Sequence, residues 1–94
     1  MFVKGKEFRG QRVRLDGKVF EGCTFDRCTM VYSGTQETVI AGGSVESCQW
    51  HFEGPALNVF RFLVMVERSG GRDLVQELFQ EVRNAASEIG PRPN

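Results

Sequence analysis

The stretch Val19-Phe20-Glu21-Gly22-Cys23-Thr24-Phe25-Asp26-Arg27-Cys28-Thr29-Met30 decides how this chain is read. Phe20, Phe25 and Met30 stand five residues apart, and Cys23 and Cys28 each lie two residues before a large apolar one. Extended in both directions, the large column reads Leu15, Phe20, Phe25, Met30, Thr35, Ile40, Val45 and Trp50. The column two residues earlier is mostly small and holds all three cysteines, Cys23, Cys28 and Cys48. A period of five matches neither the 3.6 of a helix nor the 2 of a strand, so the segment over 13–52 is expected to be a repeat architecture.

On these residues the chain resembles a pentapeptide-repeat protein. The resemblance implies a right-handed, four-sided β-helix in which the large residue and the small one point inward from each side. Ser33-Gly34-Thr35-Gln36-Glu37 departs from the pattern, and Lys18 is a poor inward residue. Two folds therefore stay open: a short coil of about two turns, interrupted by a loop, or an ordinary antiparallel sheet turning at 33–35. The coil is the expected one, with Phe20, Phe25, Ile40 and Val45 buried and Trp50 facing inward.

The remaining 40 residues change character. Gly54-Pro55 signals a helix start, because proline in the first turn lacks only an N–H that has no partner there. Ala56 to Val66 holds nine apolar residues in eleven, and Ser69-Gly70-Gly71 ends the run. An amphipathic helix is expected over 72–89, with Leu74, Val75, Leu78, Phe79, Val82, Ala85, Ala86 and Ile89 on one stripe. The predicted fold class is thus α+β: a single domain over 1–94, with a basic N-terminal segment over 1–12, the β coil over 13–52, and a helical hairpin of 55–67 and 72–89. A frayed tail over 90–94 follows.

An apolar helix needs cover on nearly every side. Phe60 and Leu63 are expected to face the core of their own chain, while Val59, Phe62 and Val66, with Arg61 at the rim, form an interface with a second copy. The leading functional expectation is a non-enzymatic, homo-oligomeric interaction module.

Charge and motifs narrow the other classes. The formal net charge is zero, which removes a strong drive toward nucleic acid or an anionic membrane. The first 14 residues hold five basic side chains against Glu7 alone, a balance of +4, and residues 15–54 hold two against six acids, −4. Mimicry of DNA, a role the resemblance implies for some members, needs a long acidic rod that these charges do not supply. No stretch reads as a secretory signal or membrane span, and an odd count of scattered cysteines favours a reducing, cytoplasmic setting. Cys23, Cys28, Cys48 and His51 have spacings that zinc accepts, but cysteines in the small column pack as compact hydrophobes, so no metal or other cofactor is expected. A second binding class is sequestration of a nucleotide or similar small anion between protomers, with Arg9, Arg12 and Arg14 on phosphate oxygens and Tyr32, Trp50 and His51 on a planar ring. A hydrolase built on His51, the single histidine, is the alternative from another class. Asp16, Glu21 and Asp26 recur every five residues on the outside, where a solvated face is expected.

Overall fold

The computed structural model describes residues 1–89; the tail over 90–94 lies outside the described residues. Nine short strands come first: β1 (Phe2–Lys4), β2 (Glu7–Arg9), β3 (Arg12–Arg14), β4 (Val19–Glu21), β5 (Thr24–Asp26), β6 (Thr29–Tyr32), β7 (Val39–Ala41), β8 (Ser44–Glu46) and β9 (Gln49–Phe52). Two helices follow, α1 (Gly54–Arg68) and α2 (Arg72–Ile89). The strands form three parallel sheets, β1-β4-β7, β2-β5-β8 and β3-β6-β9. Each rung therefore contributes one strand to every sheet, a β-helix-like arrangement, and the antiparallel alternative is removed. The chain divides into two compact units, Met1–Phe60 and the segment from Arg61 onward.

The coil starts earlier than the sequence reading placed it. The basic segment over 1–12 is not a separate extension: it holds β1, β2 and the first residue of β3, and these three strands form the first of three rungs. Its inward residues are Val3, Phe8 and Val13, in register with Phe20, Phe25 and Met30, which stand in register with Ile40, Val45 and Trp50. Spacing within every rung is five, but the step from Val13 to Phe20 is seven. The pairing offset is 17 residues between the first two rungs (Phe2↔Val19) and 20 between the second and third (Val19↔Val39). The connection closing the first rung is the shorter one, so counting back by fives from Phe20 lands on Leu15 rather than on the strand centre. Leu15 is still buried, from that connection, whereas Thr35 is exposed.

The core is a stack of side chains along the coil axis. Val13, Leu15, Phe20, Cys23, Phe25, Cys28 and Met30 make one buried cluster. Phe8 and Phe25 stack with centroids 5.1 Å apart, and Phe20 meets Phe25 edge-on at 5.2 Å, arrangements that the ring quadrupole favours. Cys23 and Cys28 are buried and Cys48 is half-buried, all three as free thiols. The Cys28 backbone N–H lies 3.4 Å from Cys48 Sγ, which places the two in one column as the twenty-residue spacing predicts. The turn after β2, β5 and β8 demands a left-handed residue each time: Gly10 (φ 60°), Arg27 (φ 53°) and Ser47 (φ 54°). Holding Arg27 and Ser47 there costs about 1–2 kcal/mol each, and the recurrence at one corner shows that the coil geometry imposes it.

The helices begin and end as their sequences direct. The Leu57 N–H donates to the Glu53 carbonyl (3.1 Å), and the Ala56 N–H is satisfied by the Ser33 carbonyl at 2.9 Å. Gly70 (φ 93°) terminates α1 while the Gly71 N–H reaches back to the Val66 carbonyl at 2.8 Å. Their apolar faces, however, are not buried. No residue of α1 is buried, and Leu74, Leu78, Phe79 and Val82 of α2 are exposed. The C-terminal helical pair is present, but Phe60, expected to face the core of its own chain, is 50% exposed, and Leu63 is half-buried.

Candidate interaction surface

The three apolar columns end unequally. In the second rung, Phe20, Phe25 and Met30 are 1%, 0% and 0% exposed; one rung on, Ile40, Val45 and Trp50 are 40%, 44% and 57% exposed. This corrects the expectation that Ile40 and Val45 are buried and that Trp50 is a core residue. The physical reason is position, since a column residue is buried by the rung above and the rung below, and the third rung is the last one. The same rung supplies β7, β8 and β9, the last strand of each sheet, whose outer backbone groups have no further strand.

Aromatic contacts carry this surface onward. Trp50 and Phe52, two residues apart on β9, lie with ring planes 2° from parallel and centroids 6.2 Å apart. Phe52 in turn meets Phe60 in the second turn of α1 at 5.9 Å. On α1, Val59 and Phe62 are 61% and 57% exposed, Arg61 is exposed, and Val66 is half-buried. The four residues proposed from sequence as an interface thus lie on one helix, with Val59 and Phe62 largely uncovered and Val66 half-buried.

A second cluster is polar and sits where the rungs close. Asp16, in the short first connection, accepts the backbone N–H groups of Ser33 (3.0 Å), Gly34 (2.9 Å) and Thr35 (3.3 Å) in the connection above it. Its side chain is only 9% exposed, so it is not part of the solvated face expected for Asp16, Glu21 and Asp26. Partial desolvation pushes its carboxyl upward, but the backbone donors outweigh that and hold it below its ordinary value. The bulge that broke the sequence pattern at 33–37 is thereby tied down by one carboxylate. Glu21 pairs with Lys4 at 3.6 Å and Asp26 with Arg27 at 3.1 Å, so the three acids do not converge.

Beside Asp16, Arg14 Nη1 reaches Glu53 Oε2 at 3.1 Å and Ser33 Oγ at 3.3 Å, and Ser33 Oγ lies 3.3 Å from Glu53 Oε2. His51 Nε2 is 3.7 Å from Glu53 Oε1. The Arg14 hydrogen bond, against some desolvation, holds the Glu53 carboxyl below its ordinary value. A hydrolytic relay needs the histidine between nucleophile and carboxylate. Here the order differs: the Glu53 carboxylate stands between Ser33, to which it is hydrogen-bonded, and His51, 3.7 Å away.

The six residues proposed for an anionic ligand are only partly gathered. Arg12, Arg14, Tyr32, Trp50 and His51 all lie on the β3-β6-β9 sheet, with Arg14, Val31 and His51 in register across it. Trp50 aligns instead with Met30, on the inward column. Tyr32 is half-buried against the core, and Arg9, on β2, lies 3.8 Å from Glu7. Arg14 is already committed to Glu53. What the sequence reading missed is the open third rung, and its signal was present, since no apolar column continues past Trp50. Comparison with protein-family models, with curated proteins and with solved structures returns no match.

Proposed function

We propose that this chain is a non-enzymatic interaction module that associates with copies of itself, built on a pentapeptide-repeat-type coil. The repeat reading is supported by the twenty-residue offset between the second and third rungs, four sides of five residues, and by the five-residue spacing inside each rung. The observation that carries the function is the loss of burial along the columns, from 0–1% in the second rung to 40–57% in the third. Together with Val59, Phe60, Phe62 and Met65, each at least 50% exposed, this is more apolar surface than a small monomer ordinarily leaves in water. Uncharged overall, the chain has little self-repulsion to oppose association.

Sequestration of a small anion is the less supported reading, because Glu53 neutralises Arg14 at the place where five of the six candidate residues share a sheet. Light scattering across a wide concentration range tests the leading reading. The wild-type mass should be a multiple of the 10.6 kDa chain, and both Trp50→Lys and Phe62→Glu should lower it while far-UV circular dichroism stays unchanged. A wild-type chain that is monomeric at high concentration refutes the proposal.

A further inference from the structure

The apolar stripe of α2 has a finer order than amphipathicity. Val75, Leu78, Val82, Ala85 and Ile89 follow one another at spacings of three, four, three and four. That is the a/d alternation of a heptad, with β-branched residues at every a position and Leu78 and Ala85 at d. In a parallel coil, β-branched residues at a with leucine at d favour two strands over three or four. Val75 is half-buried, and four large side chains along the stripe are exposed: Leu74 is 65% exposed, Leu78 37%, Phe79 52% and Val82 57%. Most helical stability in proteins comes from packing an amphipathic face against something else, and the exposed face of this 18-residue helix has room for such a partner.

We infer that α2 pairs in parallel with α2 of a second copy of this chain, in register about a two-fold axis. The inference rests on the self-association proposed above and specifies its seam. Charge selects the direction. In a parallel pair, position g faces position e of the other helix, so Leu74 meets the partner's Phe79 and Glu81 meets the partner's Ala86, and no like charges meet. In an antiparallel pair g faces g, which sets Glu81 against its own copy. Leu74 and Phe79 flank the a/d core and widen the apolar seam. The area suffices: the four exposed large side chains offer about 100 Å² apiece, and with Val75, Ala85 and Ala86 one stripe reaches about 500 Å². Two stripes then bury about 1,000 Å², the threshold for a specific interface.

Cysteine cross-linking of the full chain tests the arrangement. Ala85→Cys places a thiol at d, level with its copy across a parallel seam, while Gln80→Cys places one at the outward f position. Under mild oxidation, with the wild-type chain as the blank for its own thiols, Ala85→Cys should form disulfide-linked dimers about tenfold faster than Gln80→Cys. Light scattering is run on the same samples under reducing conditions. An oligomer in which the two variants cross-link at equal rates overturns the parallel α2 seam and leaves self-association standing. A monomer under these conditions, with no preference for position 85, overturns both.

Discussion

Gly42 and Gly43 are neighbours at the corner between β7 and β8, with nearly the same backbone conformation, φ 69° and 67°. Alanine at either position would share the left-handed penalty, about 1–2 kcal/mol, less about 0.4–1 kcal/mol from restricting the unfolded chain. Their surroundings differ. A Cβ on Gly42 would lie 3.5 Å from the Gly22 nitrogen, an ordinary contact. A Cβ on Gly43 would overlap the Cys23 carbonyl oxygen and stand 2.7 Å from its carbon and 2.8 Å from the Cys23 nitrogen. These are backbone atoms of the rung below and cannot rotate away. Relief requires the second and third rungs to part locally, which sacrifices the Ser44 N–H to Cys23 carbonyl bond (3.0 Å) and strains the neighbouring Gly22 N–H to Ala41 carbonyl bond (2.8 Å). At about 1 kcal/mol net for each, Gly43→Ala should cost about 3 kcal/mol and Gly42→Ala about 1. For a domain of this size each kilocalorie moves Tm by about 4–8 °C, so thermal melts followed by circular dichroism should separate the two variants by at least about 8 °C. Equal losses, or a larger loss at Gly42, would show that the rungs are not stacked at this distance and would refute the register.

Phe25→Ala should cost about 3–5 kcal/mol, because its ring is fully buried and touches both Phe8 and Phe20; urea denaturation that shows a loss below 1 kcal/mol would contradict the stacked core. Both Asp16 and Glu53 have carboxyls held below their ordinary values, so the stability they confer is complete above about pH 4–5 and is lost as the pH falls through their lowered values. Asp16→Asn should therefore flatten the decline in Tm between about pH 4 and pH 2, and an acid limb of unchanged steepness in the variant would place the linkage elsewhere.

Much of the coil was legible because burial on two sides demands large apolar residues at fixed spacing, and Phe20, Phe25 and Met30 supply them. The first rung was hidden by geometry. Its spacing is as regular as the second, but a connection three residues shorter shifts Val3, Phe8 and Val13 out of the phase set by Phe20, and the basic residues between them read as a solvated arm. The connection at 33–38 broke the pattern because its backbone is held by Asp16 from the rung below, a long-range hydrogen bond that no local periodicity encodes. Ile40, Val45 and Trp50 obeyed the period yet are exposed, since the pattern records which way a side chain points and not whether another layer covers it. The same limit applies to the helices, whose stripes mark an apolar face without recording whether anything covers it.

That cover can be weighed. Ile40, Val45 and Trp50 at their observed exposures leave about 300 Å² of surface on each copy, so two copies that pair through the open rung remove about 600 Å², worth about 15 kcal/mol at 25 cal/mol per Å². Association itself costs about 4–15 kcal/mol in lost freedom, so the open rung alone brings two copies only to the point of balance. Val59, Phe60, Phe62 and Met65 of α1, each at least half exposed, leave about 400 Å² more on each copy. Cover over any apolar surface beyond the rung therefore tips the balance toward association. Because the open rung stands at balance, one charged substitution, Trp50→Lys on the rung or Phe62→Glu on the helix, is expected to weaken association between the copies while leaving each coil folded around its own second-rung core.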